Sequence, residues 1–277
     1  MRVGLMVHGR RDDAVGHARR AAAYLRKAGV SVTAEDDAAA YLGAGVIPFS
    51  QAHGADAIIT LGGDGTLLRG AQYALRWDAA LLGVNLGRVG FLAEIEPEML
   101  ETALAAVIAG EYRTENRPVL EVTSGGQTWY GLNDVVVSRG GFSRLITIDA
   151  LVDGDSTGRY VADGLIVATP TGSTGYCLSA GGPVVSPKVD CMIITPICAH
   201  TLQHRPCVVH GGAHIRLSLR PDDVQSASLE VDGQTCAELT AGMSVDVRKD
   251  ERALRLIRMR EGRFFQLVRD KLTEWTR

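Results

Sequence analysis

Asp64 lies within Gly62-Gly63-Asp64-Gly65-Thr66, between the apolar run Ala57-Ile58-Ile59-Thr60-Leu61 and a helix-like stretch at 67–74. Strand, glycine loop and helix together suit phosphate, because bare N–H groups approach closely and the helix N-terminus attracts anions. A carboxylate repels phosphate, so Asp64 needs another task. The economical one is to meet a hydroxyl or a metal beside the phosphate. The loop is not a Walker A loop, since no Lys-Ser/Thr follows its last glycine, and it is not GxGxxG either. The bland alternative is a tight strand–helix turn in which Asp64 caps N–H groups.

A second stretch, 163–176, runs from Asp163 through an apolar strand into Thr169-Pro170-Thr171-Gly172-Ser173-Thr174-Gly175-Tyr176. Small hydroxyl residues and glycines bring a polar ligand close to the main chain, and Tyr176 offers a flat face to a base. A Ser/Thr-rich turn is the alternative, but the density of special residues favours a site. Asn133-Asp134 precedes Val135-Val136-Val137. The carboxylate accepts from vicinal hydroxyls and the amide both gives and accepts, which suits a ribose. Asx residues at strand ends are also ordinary turn formers.

The elements that must position these residues fall into two textures. Residues 1–113 alternate strand and helix in the α/β manner. Strand patterns stand at 2–7, 30–34, 57–61 and 80–84, an alanine-rich helix at 14–28 is stopped by Gly29, and another helix runs from Pro97 to Gly110. From Arg117-Pro118 onward, short β-rich runs follow at 119–123, 128–132, 135–138, 145–152, 165–169, 215–219 and 229–231. Ser124-Gly125-Gly126, Asp153-Gly154 and Asp232-Gly233 read as turns between them. The expectation is α/β plus all-β: an α/β (Rossmann-like) domain of 1–113 with 250–277, and a β-sandwich-like domain of 114–249. The tail, strand-like at 254–259 and helical at 264–272, is expected to return to the first domain.

The 277 residues are 46% hydrophobic and carry a formal net charge of −3. That charge argues against a nucleic-acid or anionic-membrane partner. No apolar run approaches membrane-spanning length, and the start does not read as a signal peptide. Cys177, Cys191, Cys198, Cys207 and Cys236 are odd in number and form no CxxC pair, which fits a reduced, cytoplasmic setting. His200 and His204, with Cys198 and Cys207 nearby, match no standard zinc spacing, so no metal centre built from side chains is expected.

The chain resembles the ATP-dependent NAD kinases over most of its length. The resemblance rests on Gly62–Thr66 as the phosphate loop, 85–92 after it, Asn133-Asp134 in place of an Asn-Glu pair, the long stretch 163–183, the segment 195–206, and Asp232-Gly233-Gln234. It implies a site between an α/β and a β-sandwich-like domain, and transfer of the ATP γ-phosphate to the 2′-hydroxyl of the adenosine ribose of NAD. It implies that Asp64 orients and deprotonates that hydroxyl. Gly62, Gly63, Gly65, Thr66 and Arg69 would bind the ATP phosphates. Asp64, Gly65, Phe91, Asn133, Asp134, Arg144, Asp163, Thr174, Gly175, Tyr176, Ser179 and Gln234 would contact NAD. It further implies Mg²⁺ or another divalent cation travelling with ATP, and a homodimer or homotetramer.

Phosphoryl transfer passes through a loose transition state, so positioning and charge neutralisation matter more than a strong base. Several positions depart from the family pattern. Asp134 stands where Glu is usual, Gly175 where alanine is, Cys177 where small residues are common, and Val161 where several relatives carry a basic residue. The glycine loop alone is shared with diacylglycerol and sphingosine kinases, so a lipid kinase is the alternative enzyme. A non-catalytic nucleotide-binding module is the third reading, but binding alone gains nothing from Asp64 among phosphates.

Overall fold

The apolar runs of the first third become a parallel sheet because each is buried along its whole length. The protein is described here by a computed structural model, which covers residues 1–9, 11–87, 90–140, 145–200, 204–220, 226–260, 262 and 264–274. The chain divides into two units, one of residues 1–116 with 254–277 and one of residues 117–253.

The first unit contains β1 (Arg2–Val7), α1 (Asp12–Lys27), β2 (Ser31–Ala34), α2 (Asp36–Leu42), β3 (Ile47–Pro48), β4 (Ala57–Gly62), α3 (Asp64–Trp77), β5 (Ala80–Asn85) and α4 (Leu100–Ala109). Its parallel strands run in the order β3-β2-β1-β4-β5, and Leu256 from the chain's end pairs in parallel with Leu81 of β5. Every residue of β4 and β5 is buried, as expected of strands covered on both faces. Alanines at 14, 18, 21 and 22 let α1 lie close on this sheet. Gly29 ends that helix region at φ +74°, and Gly110 ends α4 at φ +72°. Phe49 packs on Tyr73 and Trp77, with ring centroids 4.5 and 4.9 Å apart.

The second unit is mostly β. Its elements are β6 (Arg113–Ser124), β7 (Gln127–Gly131), β8 (Asp134–Arg139), β9 (Ile146–Val152), β10 (Asp155–Ala162), β11 (Gly164–Ala168), α5 (Tyr176–Ser179), β12 (Cys191–Ile197), β13 (Cys207–His210), β14 (Ile215–Leu219), β15 (Ala227–Val231), β16 (Gln234–Leu239) and β17 (Ser244–Arg258). A final helix, α6 (Phe264–Glu274), belongs to the first unit. The unit boundaries fall inside β6 and β17, two continuous strands, so no turn signal marks them in the sequence.

One sheet runs β13-β12-β11-β8-β15-β16, all antiparallel. Its alternating side chains fill two separate cores. Val135, Val137, Leu165 and Val167 join the cluster shared with Ile148 of β9, Ile215 of β14 and Val247 of β17. Val136, Ile166 and Ala168 join Cys177 and Ile193 on the opposite face. The second core seats the 170–185 loop against the sheet. Among the described residues no helix is long and apolar enough to cross a membrane.

Candidate functional site

The sequence-derived residues fall into two groups, one in each unit. In the first unit β4 ends at Gly62 and α3 begins at Asp64, so Gly63 alone makes the turn. Gly62 lacks a side chain because a Cβ there would collide with Thr66, which folds back over it. Asp64 opens α3, and the residue before it, Gly63, offers no side-chain cap. The Asp64 carboxylate accepts the backbone N–H of Phe91 at 2.8 Å and of Leu92 at 3.2 Å. A Cβ at Gly90 would fall on the same carboxylate, so the backbone of residues 90–92 meets Asp64 in this way only with glycine at that position. The Phe91 ring lies under Lys271 of α6, with Nζ 4.5 Å from the ring centroid. Asp64 and Phe91 are thus brought together, and Gly65 is exposed beside them. Arg69 is engaged by Glu35 and by the Val7 carbonyl. It pairs with Glu35 at one side of a cavity of about 610 Å³, lined also by Val7, Gly9, Tyr41 and Tyr73.

In the second unit β8 lies between β11 and β15, antiparallel to both, so its first residues meet the last residues of each neighbour. Asp134 is opposite Ala168, and Val135 is opposite both Val167 and Val231. This register gathers Asn133-Asp134, the 169–176 loop and the Asp232-Gly233 turn. Thr169 ties the first two: its Oγ1 donates to the Leu132 carbonyl at 2.6 Å and its N–H to that of Asn133 at 2.8 Å. Gly172 approaches so closely that a Cβ would fall on the Asn133 backbone. A Cβ at Gly175 would stand 3.7 Å from Asn133 Nδ2 and 3.8 Å from Asp134 Oδ2, so both side chains converge there.

The electrostatics of this group are unusual. Burial pushes the Asp134 carboxyl up to about 7, with the Asp232 and Glu230 charges adding. Burial also raises the Tyr176 phenol, with Cys198, Glu230, Asp163 and Asp134 adding, so Tyr176 lies within the field of both candidate aspartates. Tyr176 is 46% exposed and presents its ring to solvent. Asn133 Oδ1 is buried without a hydrogen-bond partner, a costly state that a ligand donor would relieve. Asp163 pairs with Arg139 at 3.1 Å. Thr174 is buried and donates to the Thr171 carbonyl at 3.3 Å, while Ser179 and Gln234 are more accessible.

Two family models cover most of the chain: the ATP-NAD kinase N-terminal domain matches residues 3–112 and the ATP-NAD kinase C-terminal domain matches residues 132–259. The chain belongs to the ATP-NAD kinase family. The NAD kinase of Moorella thermoacetica is 45% identical over 224 residues, 79% of this chain and 72% of that protein. The NAD kinase of Syntrophotalea carbinolica is 39% identical over 287 residues, covering 98% of each. Yeast NADH kinase, solved with NADH, superposes with a TM-score of 0.87 at 25% identity, over 99% of this chain and 87% of that one. An NAD kinase from Archaeoglobus fulgidus, solved with ATP, gives 0.77 at 28% identity, over 99% of both. The lipid-kinase alternative gains no support from these relatives.

Within this ATP-NAD kinase the departures from the family pattern acquire surroundings. Cys177 is fully buried, its thiol 3.2 Å from Thr195 Oγ1, and a Cβ at Gly182 would strike its sulfur. His204 stacks on Tyr160 with ring centroids 4.3 Å apart. Among the described residues no group of three His, Cys, Asp or Glu could hold a metal ion. Arg144 lies outside the described residues. Sequence reasoning named Asp232 as a turn residue and in the family resemblance but gave it no role in the site; its carboxylate accepts the N–H groups of Leu132, Asn133 and Asp134 at 2.8, 2.7 and 3.3 Å. An Asp-Gly pair signals a hairpin turn; nothing in that signal says its carboxylate reaches a strand about a hundred residues away.

Proposed function

We propose that this ATP-NAD kinase transfers the γ-phosphate of ATP to the 2′-hydroxyl of the adenosine ribose of NAD, giving NADP and ADP, and that Asp64 is the catalytic residue. The observation that carries the reading is the Asp64 carboxylate, held among the phosphate-loop glycines by the N–H groups of Phe91 and Leu92. Two N–H donors keep it oriented without consuming all its acceptor capacity. The 2′-oxygen forms the new P–O bond as the bond from the γ-phosphorus to the β,γ-bridging oxygen breaks. ADP leaves, and the hydroxyl proton passes to Asp64. Gly62, Gly63, Gly65 and Thr66 offer main-chain and hydroxyl donors to the donor phosphates at the start of α3. Arg69 joins them by exchanging Glu35 for phosphate.

On the acceptor side, Asn133 and Asp134 hold ribose hydroxyls, Thr174, Gly175, Tyr176 and Ser179 line the adenine and ribose pocket, and Asp163 and Gln234 contact the rest of the dinucleotide. The orphaned Asn133 Oδ1 supports this assignment. Mg²⁺ would enter with ATP, a mode that needs no all-protein cage of side chains. When bound it neutralises developing charge on the transferred group. The enzyme works in the cytoplasm as a homodimer or homotetramer.

One assay tests the reading. Protein incubated with ATP, Mg²⁺ and NAD should form NADP. Phosphate appearing instead on a diacylglycerol or sphingoid base would establish the lipid-kinase reading, and no product on either acceptor would leave a binding module.

A further inference from the structure

We propose that Asp232 is the positioning residue that sets the acceptor pair Asn133-Asp134, a role that rests on the NAD kinase reading above. Asp232 and Gly233 occupy the β15–β16 hairpin turn with φ +49° and +74°. An Asp at such a turn ordinarily bonds the backbone two residues on. This one turns its carboxylate inward and takes three consecutive N–H groups from Leu132, Asn133 and Asp134. Its own N–H donates to the Asp134 carbonyl at 3.0 Å. Thr169 holds the other side of the same segment through the Leu132 and Asn133 carbonyls. The backbone of the pair is therefore clamped from β15 and β11 at once, while Asn133 Oδ1 stays buried and unpartnered. A carboxylate suits the task because bonds to an ionised acceptor are about twice as strong as neutral ones. Burial pushes the Asp232 carboxyl up, and the same three N–H groups oppose that rise by favouring the ionised form.

Asp232 acts on Asp134 through its charge as well. The groups facing the Asp134 carboxyl are Asp232 from the hairpin turn, Glu230 from β15, and Tyr176 and Cys177 from α5. The Asp232 charge opposes ionisation of Asp134, and a ribose hydroxyl donating to Asp134 favours it again. No ligand contact by Asp232 itself is required.

The test is Asp232→Asn in the full-length enzyme. The amide turns an N–H₂ toward backbone donors, so the clamp loosens. The NAD KM and the calorimetric NAD Kd should rise about 10- to 100-fold, the scale of one or two lost charge-assisted bonds. The ATP KM should stay within about twofold, since the donor loop lies in the other half of the chain. The acid limb of the 1/KM profile for NAD should move down by about one pH unit, because Asp134 loses a repelling neighbour. Asp232→Glu supplies the comparison, because it disturbs the clamp but keeps the charge, so a limb shift seen in Asp232→Asn alone belongs to the charge. Should the variant fail to fold by circular dichroism, Asp232→Glu keeps the charge but displaces the acceptors by a methylene. It should raise the NAD KM while the limb stays in place. An unchanged NAD KM in the folded variant, or equal rises for NAD and ATP, overturns the role of Asp232. Wild-type enzyme that makes no NADP overturns the function reading, and the role with it.

Discussion

The Asp64 carboxylate and the Phe91 backbone N–H meet at 2.8 Å although they are 27 residues apart in the chain. Leu92 adds a second donor at 3.2 Å, and Gly90 leaves the room that both contacts need. A carboxylate at the first position of α3 is also favoured by the helix dipole. The group is held in place by the Phe91 and Leu92 N–H groups and the helix together, which suits a reaction that depends on positioning.

Asp64→Asn should therefore separate binding from turnover. The amide has the carboxylate's shape but cannot take the ribose proton, and its N–H₂ gives up only the longer of the two backbone contacts, that of Leu92. Turnover should fall about 10²- to 10⁴-fold, the range expected for a lost general base. Equilibrium dialysis should find NAD and ATP affinities within a few-fold of wild type. Near-normal turnover would remove Asp64 from the chemistry.

Gly90→Ala tests the same geometry from the other partner. The added methyl would occupy the carboxylate's place, so Asp64 must rotate or the backbone of residues 90–92 must withdraw. A displacement of ~1 Å is enough to cost about 10²-fold in turnover. The expected result is a kcat loss of that order with an unchanged melting temperature. A kcat equal to wild type would show that Asp64 tolerates being moved.

Asp134 gives a pH prediction with a definite sign. Its folded-state value of about 7 lies above the ordinary carboxyl range, so between pH ~4 and ~7 the folded chain binds more protons here than the unfolded chain. Its contribution to stability therefore falls as pH rises through that window, and Asp134→Asn should melt higher than wild type at pH 8 and not at pH 4. Ribose binding favours the ionised acceptor, so the NAD KM should fall as pH rises through neutrality. A pH-independent NAD KM between 6 and 8 would contradict that role.

Gly172 and Gly175 should respond differently to alanine. At 172 a methyl meets the Asn133 backbone, which strand β8 holds in place. Overpacking of this kind costs about 1–3 kcal/mol. Denaturant midpoints should drop and the NAD KM should rise. At 175 the nearest atom is the Gly172 carbonyl oxygen at 3.3 Å, a contact that a small shift relieves. Gly175→Ala should cost less than about 1 kcal/mol and keep NAD binding. Equal destabilisation by both would refute the close approach at 172.

Much of this architecture was legible in residue order because the signals are local. A fully apolar run such as 57–61 fits a covered strand, and glycines at 62 and 63 announce a turn into helix. Asp153-Gly154 and Asp232-Gly233 are hairpin turns with both residues at positive φ. Residue types within one loop likewise marked Asp64, Asn133-Asp134 and 163–176 as chemical. The ends of the long strands β6 and β17 were not legible, because polar residues such as Arg113 and Glu115 continue a strand that no local pattern requires.

By itself, then, the sequence determined which side chains could do chemistry and the family they belong to, because those properties reside in short contiguous stretches. Only the tertiary structure decided who holds them. That Asp64 answers to Phe91 and Leu92, that Arg69 is engaged by Glu35, and that Asp232 clamps Asn133 and Asp134 are all long-range facts. A lone carboxylate carries no mark of its partner. Strand register and the approach of distant backbone N–H groups choose that partner, and both are set by how buried strands stack side by side.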